Sequence, residues 1–186
     1  MEAVKSAKDA GSARVIAVNN TWERAPWADA LYACDAPWWR HYRPNFKGQR
    51  WSQSHDASTL GTGVRHVLGL PRDDLSFDPA HIHNGRNGGF QALNLAILFG
   101  AAKIILLGFD MQATDGKTHW HGDHEVRRGG ERLTNPDANR FQEWLRAFER
   151  AARQLKDRGE PRVINATTET ALTCFEQMEL GEALHA

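Results

Sequence analysis

Residues 83–110 read HNGRNGGFQALNLAILFGAAKIILLGFD, and three signals follow one another in them. Asn84, Gly85, Arg86, Asn87, Gly88 and Gly89 make a glycine-rich turn. Phe90, Leu93, Ile97 and Leu98 then recur at spacings of three and four, the period of a helix with one apolar face. Gly100 ends that helix, and residues 103–107 are a short apolar run that stops at Gly108-Phe109-Asp110. A turn, a helix and a buried strand in this order supply most of a βαβ unit, which implies a parallel sheet.

Working outward, residues 14–18 form a β-branched run that opens abruptly into Asn19-Asn20-Thr21, and residues 29–34 form another that ends at Asp35. Both have the pattern of buried parallel strands leaving into polar loops. Downstream, a polar loop over residues 111–134 reaches Asn135-Pro136, a helix-starting pair with proline at the first helical position. Phe141, Leu145, Phe148, Ala152 and Leu155 then repeat at helical spacing, and Gly159 supplies the stop. Residues 162–165 read as a last strand and 170–184 as a terminal helix. Residues 43–79 are rich in glycine, serine, histidine, proline and charge, with only 64–70 resembling a regular element, and are expected to be an irregular insertion or lid. The expected class is α/β, Rossmann-like, with a mostly parallel sheet flanked by helices in a single nucleotide-binding domain over residues 1–186.

The chain length suits one domain. Twenty-three basic side chains balance twenty-three acidic ones, so no net field would hold nucleic acid, and an anionic ligand must be gripped locally. Cys34 and Cys174 are too few for a disulfide framework and lack metal-ligand spacing, which points to a reducing compartment and a cytoplasmic location. Residues 1–12 contain no apolar signal core, and the apolar run over 90–107 is broken by Asn94, Gly100 and Lys103, so no membrane partner is expected. Trp22, Trp27, Trp38, Trp39 and Trp51 crowd the first third of the chain and are read as core packing before cleft lining. Homo-oligomerisation is left open by the sequence.

Three constellations bear on chemistry. Asn84, Gly85, Asn87, Gly88 and Gly89 precede a helix, where small residues admit close backbone approach and free N–H groups suit a phosphate, although a turn that needs positive φ is the alternative. Asn19, Asn20, Asp35, Asp110 and Asn165 stand at strand ends, where ligands bind in open parallel sheets and where Asn and Asp also serve simply to turn the chain. His119, His121 and His124 lie within six residues of one another beside Asp123; they suit a general base first, and a metal set or an incidental cluster otherwise.

The turn, the helix and the strand Lys103-Ile104-Ile105-Leu106-Leu107-Gly108-Phe109-Asp110 resemble the corresponding stretch of two related groups. One is the bacterial sialyltransferases that use a CMP-sugar. The other is the MptE-like domain, with archaeal pterin pyrophosphokinases and uncharacterised glycosylation-linked proteins. Both groups open with a strand ending in asparagine, here Val15-Ile16-Ala17-Val18-Asn19, and a second ending in aspartate or asparagine, here Asp35. The likeness continues through the histidine-bearing loop, the helix from Pro136 and the strand Val163-Ile164-Asn165, and leaves residues 43–79 unmatched. In size and motif the chain is also similar to small uncharacterised phage and prophage proteins.

The resemblance implies a nucleotide-dependent transferase, glycosyltransferase-like, that moves a group from a nucleotide or nucleotide-sugar to an acceptor hydroxyl. By the same likeness Asn19 would contact the nucleotide phosphate or sugar, and Asn87, Gly88 and Gly89 would line the nucleotide. Asp110 would sit at the base of the cleft, and one of His119, His121 and His124 would take the acceptor proton. The tyrosine pair that such sialyltransferases use on the leaving phosphate has no counterpart here, so sialic acid specificity does not follow from the scaffold. One alternative is a pyrophosphokinase-type transfer with a divalent cation on Asp35 and Asp110. Another is a non-catalytic phage nucleotide-binding protein, which would need the turn and the strand-end amides without the histidines.

Overall fold

The computed structural model describes residues 1–61, 63–113 and 136–186. It has a mixed α/β architecture in which every strand pairing among the described residues is parallel. One sheet has the order β1 (Ile16–Val18), β2 (Ala30–Tyr32), β3 (Gln49–Ser52), β4 (Val64–His66). A second pairs β5 (Leu68–Leu70) with β6 (His81–His83), and a third runs β7 (Lys103–Leu106), β8 (Arg162–Asn165), β9 (Glu176–Gln177). The helices are α1 (Glu2–Asp9), α2 (Ala36–Tyr42), α3 (His55–Ser58), α4 (Gly88–Leu98), α5 (Ala138–Arg158) and α6 (Leu180–His185). Only Val67 separates β4 from β5, and its N–H still bonds the Ser52 carbonyl at 2.9 Å, so the chain leaves β3 for β6 within one residue. No helix among the described residues is long and apolar enough to cross a membrane.

The helix that the opening stretch predicts is α4, and it differs from expectation in one respect. Its spacing suggests a single apolar face, yet Phe90, Gln91, Ala92, Leu93, Asn94 and Leu95 are all buried. Phe90 and Leu93 pack with Ile104, Leu106, Phe148, Leu155 and Val163 of β7, α5 and β8. Ala92 and Leu95 pack instead with Tyr32, Val67 and Ile82 of the other two sheets. A helix buried on both sides must satisfy any polar side chain inside the protein. Asn94 does so by accepting from the Ser76 N–H at 3.0 Å and the His83 N–H at 2.8 Å, and by donating to the Ser76 carbonyl at 2.7 Å.

Three expectations about elements are corrected. Residues 43–79 are not an irregular insertion: they carry β3, α3, β4 and β5, and Phe46, Ala57, Val64 and Leu75 from this stretch are core residues. Its strands are three or four residues long and border polar side chains, so no alternation has room to show. The long helix begins after Asp137, whose carboxylate accepts from the Arg140 N–H at 2.8 Å; Asp137 is the cap, and Pro136 lies before the helix rather than in its first turn. Asn135 lies outside the described residues. The terminal helix is shorter than the span 170–184, because α6 starts at Leu180 after the short strand β9.

Asn94→Ala would strand three buried backbone groups at once. Urea denaturation is expected to show a loss of about 3 kcal/mol, at roughly 1 kcal/mol or more for each orphaned group. A loss below about 1 kcal/mol would mean that water replaces the amide in this role.

Candidate functional site

The turn before α4 has two glycines with different jobs. Gly85 has φ +47, and a Cβ there would stand 2.4 Å from the Phe90 ring, so this glycine serves the turn and the packing behind it. At Gly88 φ is not positive, and a Cβ would meet the Asn19 side-chain nitrogen at 3.5 Å, an ordinary contact. Asn19 itself is left-handed at φ 48, where the chain leaves β1 into a 3-10 turn over Asn19–Glu23. Asparagine tolerates that conformation better than most residues, and it carries the amide to the first residue of α4.

Gly89 faces a third strand end. A Cβ there would meet the Phe109 ring at 2.7 Å, so the aromatic that follows β7 lies directly on the helix start. Phe109 is pinned by the turn after β8: its N–H donates to Thr167 Oγ1 at 3.0 Å and its carbonyl accepts from Thr170 Oγ1 at 2.6 Å. Asn165 holds that turn in place, accepting from the Thr167 N–H and donating to the Leu172 carbonyl. Asn87 caps α4 by accepting from the Phe90 N–H at 2.9 Å. The N–H groups of Gly88 and Gly89 have no acceptor within the helix, as at any helix start. Asn19, Gly88, Gly89 and Phe109 are therefore brought together at the carboxyl ends of β1 and β7.

A second feature opens at the ends of β2, β3, β5 and β6. It is a polar cleft of about 430 Å³, with Asp35, Gln53, Ser54, Asp56 and Asn84 in its lining. A buried chain of hydrogen bonds underlies it: the Tyr32 hydroxyl donates to Gln91 Oε1 at 2.7 Å, and Gln91 Nε2 donates to the Asn84 carbonyl at 2.9 Å. Cys34 also lines this cleft, and its thiol donates to Asp35 Oδ2 at 3.0 Å. Burial, with the Asp35 charge beside it, pushes the Cys34 thiol well up, so it stays protonated and serves as a donor rather than a nucleophile.

The remaining expected site residues separate. Asn20 is buried, accepts from Trp38 Nε1 at 2.8 Å and approaches Glu23, so it fastens the tryptophan core and is corrected from ligand contact to structural contact. Asp35 and Asn84 belong to the cleft, whereas Asn19, Gly88 and Gly89 are not among its lining residues. Arg86 carries its own left-handed φ of 56 and bridges Asp73 and Glu143, while its carbonyl accepts from Trp144 Nε1 at 2.8 Å. His119, His121 and His124 lie outside the described residues, as does Asp123. The described residues flanking them meet the glycine turn from two sides, Phe109 on Gly89 and Trp144 on Arg86. Among the described residues no group of three or more histidine, cysteine or acidic side chains is arranged to hold a metal ion.

The sequence reading misses Arg40, Gln53, Ser54 and Asp56 at the cleft, three of which lie in the stretch taken as irregular. It also misses Thr167 and Thr170, for which the run Thr167-Thr168-Glu169-Thr170 directly after a strand was an available signal. Comparison with known proteins adds no name to this geometry: no family model, no curated protein and no solved structure matches the chain.

Asp110, next to Phe109, is half-buried, and burial together with the nearby Glu169 charge raises its pKa. A carboxyl raised in the folded state costs nothing while protonated, and costs stability once pH climbs through its ordinary value of about 4 toward the folded one. Asp110→Asn should therefore raise the thermal midpoint at pH 7 and leave it unchanged at pH 3. Solvent screening holds the gain to less than about 1 kcal/mol. Equal midpoints at pH 7 would show that a partner compensates the charge.

Proposed function

We propose that the chain is a nucleotide-dependent transferase on a Rossmann-like scaffold, glycosyltransferase-like in moving a group from a nucleotide donor to an acceptor hydroxyl. The observation that carries this reading is the approach of the Asn19 amide to Gly88, at the exit of β1 and the first turn of α4. Ligands in open parallel sheets bind outside the carboxyl ends of the strands, and a helix start offers N–H groups and a positive dipole end to phosphate. The phosphates of the donor lie against Gly88 and Gly89, with the Asn19 amide on a phosphate or sugar oxygen. Fixed donors of this kind steady the charge that gathers on a departing phosphate. One of His119, His121 and His124 takes the acceptor proton.

A second reading, the pyrophosphokinase-type transfer, is favoured by one feature. That reading puts a divalent cation on Asp35 and Asp110, and the raised pKa of Asp110, due to burial and then to the Glu169 charge, supports only the Asp110 half of the pair.

Thermal shift with CMP, CMP-sugars, ADP and ATP, with and without magnesium, separates these readings. CMP compounds are expected to raise the midpoint, by the equivalent of about 2.7 kcal/mol at a hundredfold excess over Kd; a shift confined to ATP with magnesium would transfer support to the second reading. Asn19→Gly keeps the left-handed turn without a Cβ, so the ligand-free midpoint should hold or rise while the nucleotide shift disappears. A full shift in that variant would remove Asn19 from the site. Replacing His119, His121 and His124 together by alanine should preserve the shift and abolish turnover. If the biological effect also survives, the chain is a binder and not an enzyme.

A further inference from the structure

Asp35 occupies the N-cap position of α2, where an aspartate ordinarily accepts from the backbone N–H groups of the first turn. Here it makes no capping bond. Pro37, in that first turn, removes one of the donors that a cap would use. The carboxylate instead lines the cleft, with the Cys34 thiol as its donor. Asp56 of α3 also lines it, with Gln53 and Ser54 just before that helix and Asn84 at the exit of β6.

Gln53 is seated in an unusual way. A Cβ at Gly69 would press on the Gln53 side chain, with the Gln53 Cβ at 2.9 Å, so the carboxamide packs against a strand position where a larger residue would displace it. Glycine inside a strand weakens it and marks a place where another group must come close. In β5 that group is a hydrogen-bonding side chain at the cleft wall.

Charge decides what such a cleft takes. Among the described residues its lining carries two carboxylates, Asp35 and Asp56, and one guanidinium, Arg40, a negative balance that disfavours a phosphate. Ionised carboxylates only accept hydrogen bonds, whereas the amides and the hydroxyl of Ser54 both donate and accept. That mixture matches a ligand with many O–H groups and no charge.

We propose that this cleft is a subsite for an uncharged polyhydroxylated ligand, a saccharide or polyol, whose hydroxyls are read by Asp35 and Asp56. Its role as the pocket for the hydroxyl-bearing acceptor rests on the transferase reading above; saccharide binding itself does not.

Saturation-transfer NMR on the full chain, without nucleotide, tests it with methyl glycosides of glucose, galactose, mannose and N-acetylglucosamine and with myo-inositol. Putrescine and inorganic phosphate serve as charged comparators. At least one uncharged probe is expected to bind, with affinity falling tenfold or more in Asp35→Ala and in Asp56→Ala. Asp35 makes no cap but accepts from the Cys34 thiol, so the thermal midpoints of both variants are measured alongside, and affinity lost from a variant that is still folded at the assay temperature separates lost binding from lost folding. The assignment is overturned if none of the uncharged probes binds, if putrescine or phosphate alone binds, or if both alanine variants retain full affinity. Asn19→Gly should leave glycoside affinity unchanged. Glycoside binding in a chain that takes no nucleotide would sink the transferase reading and leave the cleft assignment standing, whereas displacement of the glycoside by CMP would place the nucleotide in the cleft and overturn the assignment.

Discussion

A helical stretch enclosed by protein has no solvent to satisfy its polar groups, and residues 90–95 of α4 live under that constraint. Its two apolar sides serve two different cores, one built on β7, β8 and α5 and the other on β2, β6 and the link between β4 and β5. The polar side chains it carries inside are therefore committed. Gln91 joins Tyr32 to the Asn84 carbonyl, and Asn94 joins Ser76 to His83. Buried networks of this kind specify a single arrangement because any slip leaves groups unpaired.

That commitment fixes the first turn of the helix in space, and the candidate site follows from it. Gly88 and Gly89 can accept Asn19 and Phe109 at close range because the rest of the helix is held in register behind them. The threonines that secure Phe109 come from beyond β8, so a residue distant in sequence is set against the helix by hydroxyl-to-backbone hydrogen bonds and not by loop length. The polar cleft shares the same footing, since the Tyr32–Gln91–Asn84 chain lies beneath one of its walls.

How much of this was legible in the sequence depended on the length of each signal. The helix stopping at Gly159 was readable because apolar residues recur along it at helical spacing, and the strand over 162–165 because its β-branched Val163-Ile164 pair follows that stop and ends at Asn165. β6 was not, because His81-Ile82-His83 has one apolar residue between two imidazoles and sits between the stretch read as irregular and the glycine-rich turn. α2 was hidden because Pro37 and two adjacent tryptophans give no helical period in seven residues. In the site, Asn19 and Gly88 were legible by residue type at a strand end and a helix start. Asn20 carried the same signal, yet its amide is taken up by Trp38, and no single position reveals which of two neighbouring asparagines turns inward. The cleft residues Gln53 and Asp56 come from a stretch whose order depends on pairing with strands on either side, and pairing between distant segments leaves no local mark.

Gly85 and Gly88 stand three positions apart and are subject to opposite pressures. At Gly85 a methyl group would strike the Phe90 ring, so folding alone would preserve that glycine in any descendant of this chain. At Gly88 the backbone is ordinary and a Cβ would make only van der Waals contact with Asn19 and Val18, so alanine would, if anything, favour the helix. Selection for a folded protein would thus let Gly88 drift, and only a molecule occupying the space in front of it would keep it bare. The spread of residues that Gly88 tolerates, set beside that at Gly85, would distinguish the demands of architecture from those of use.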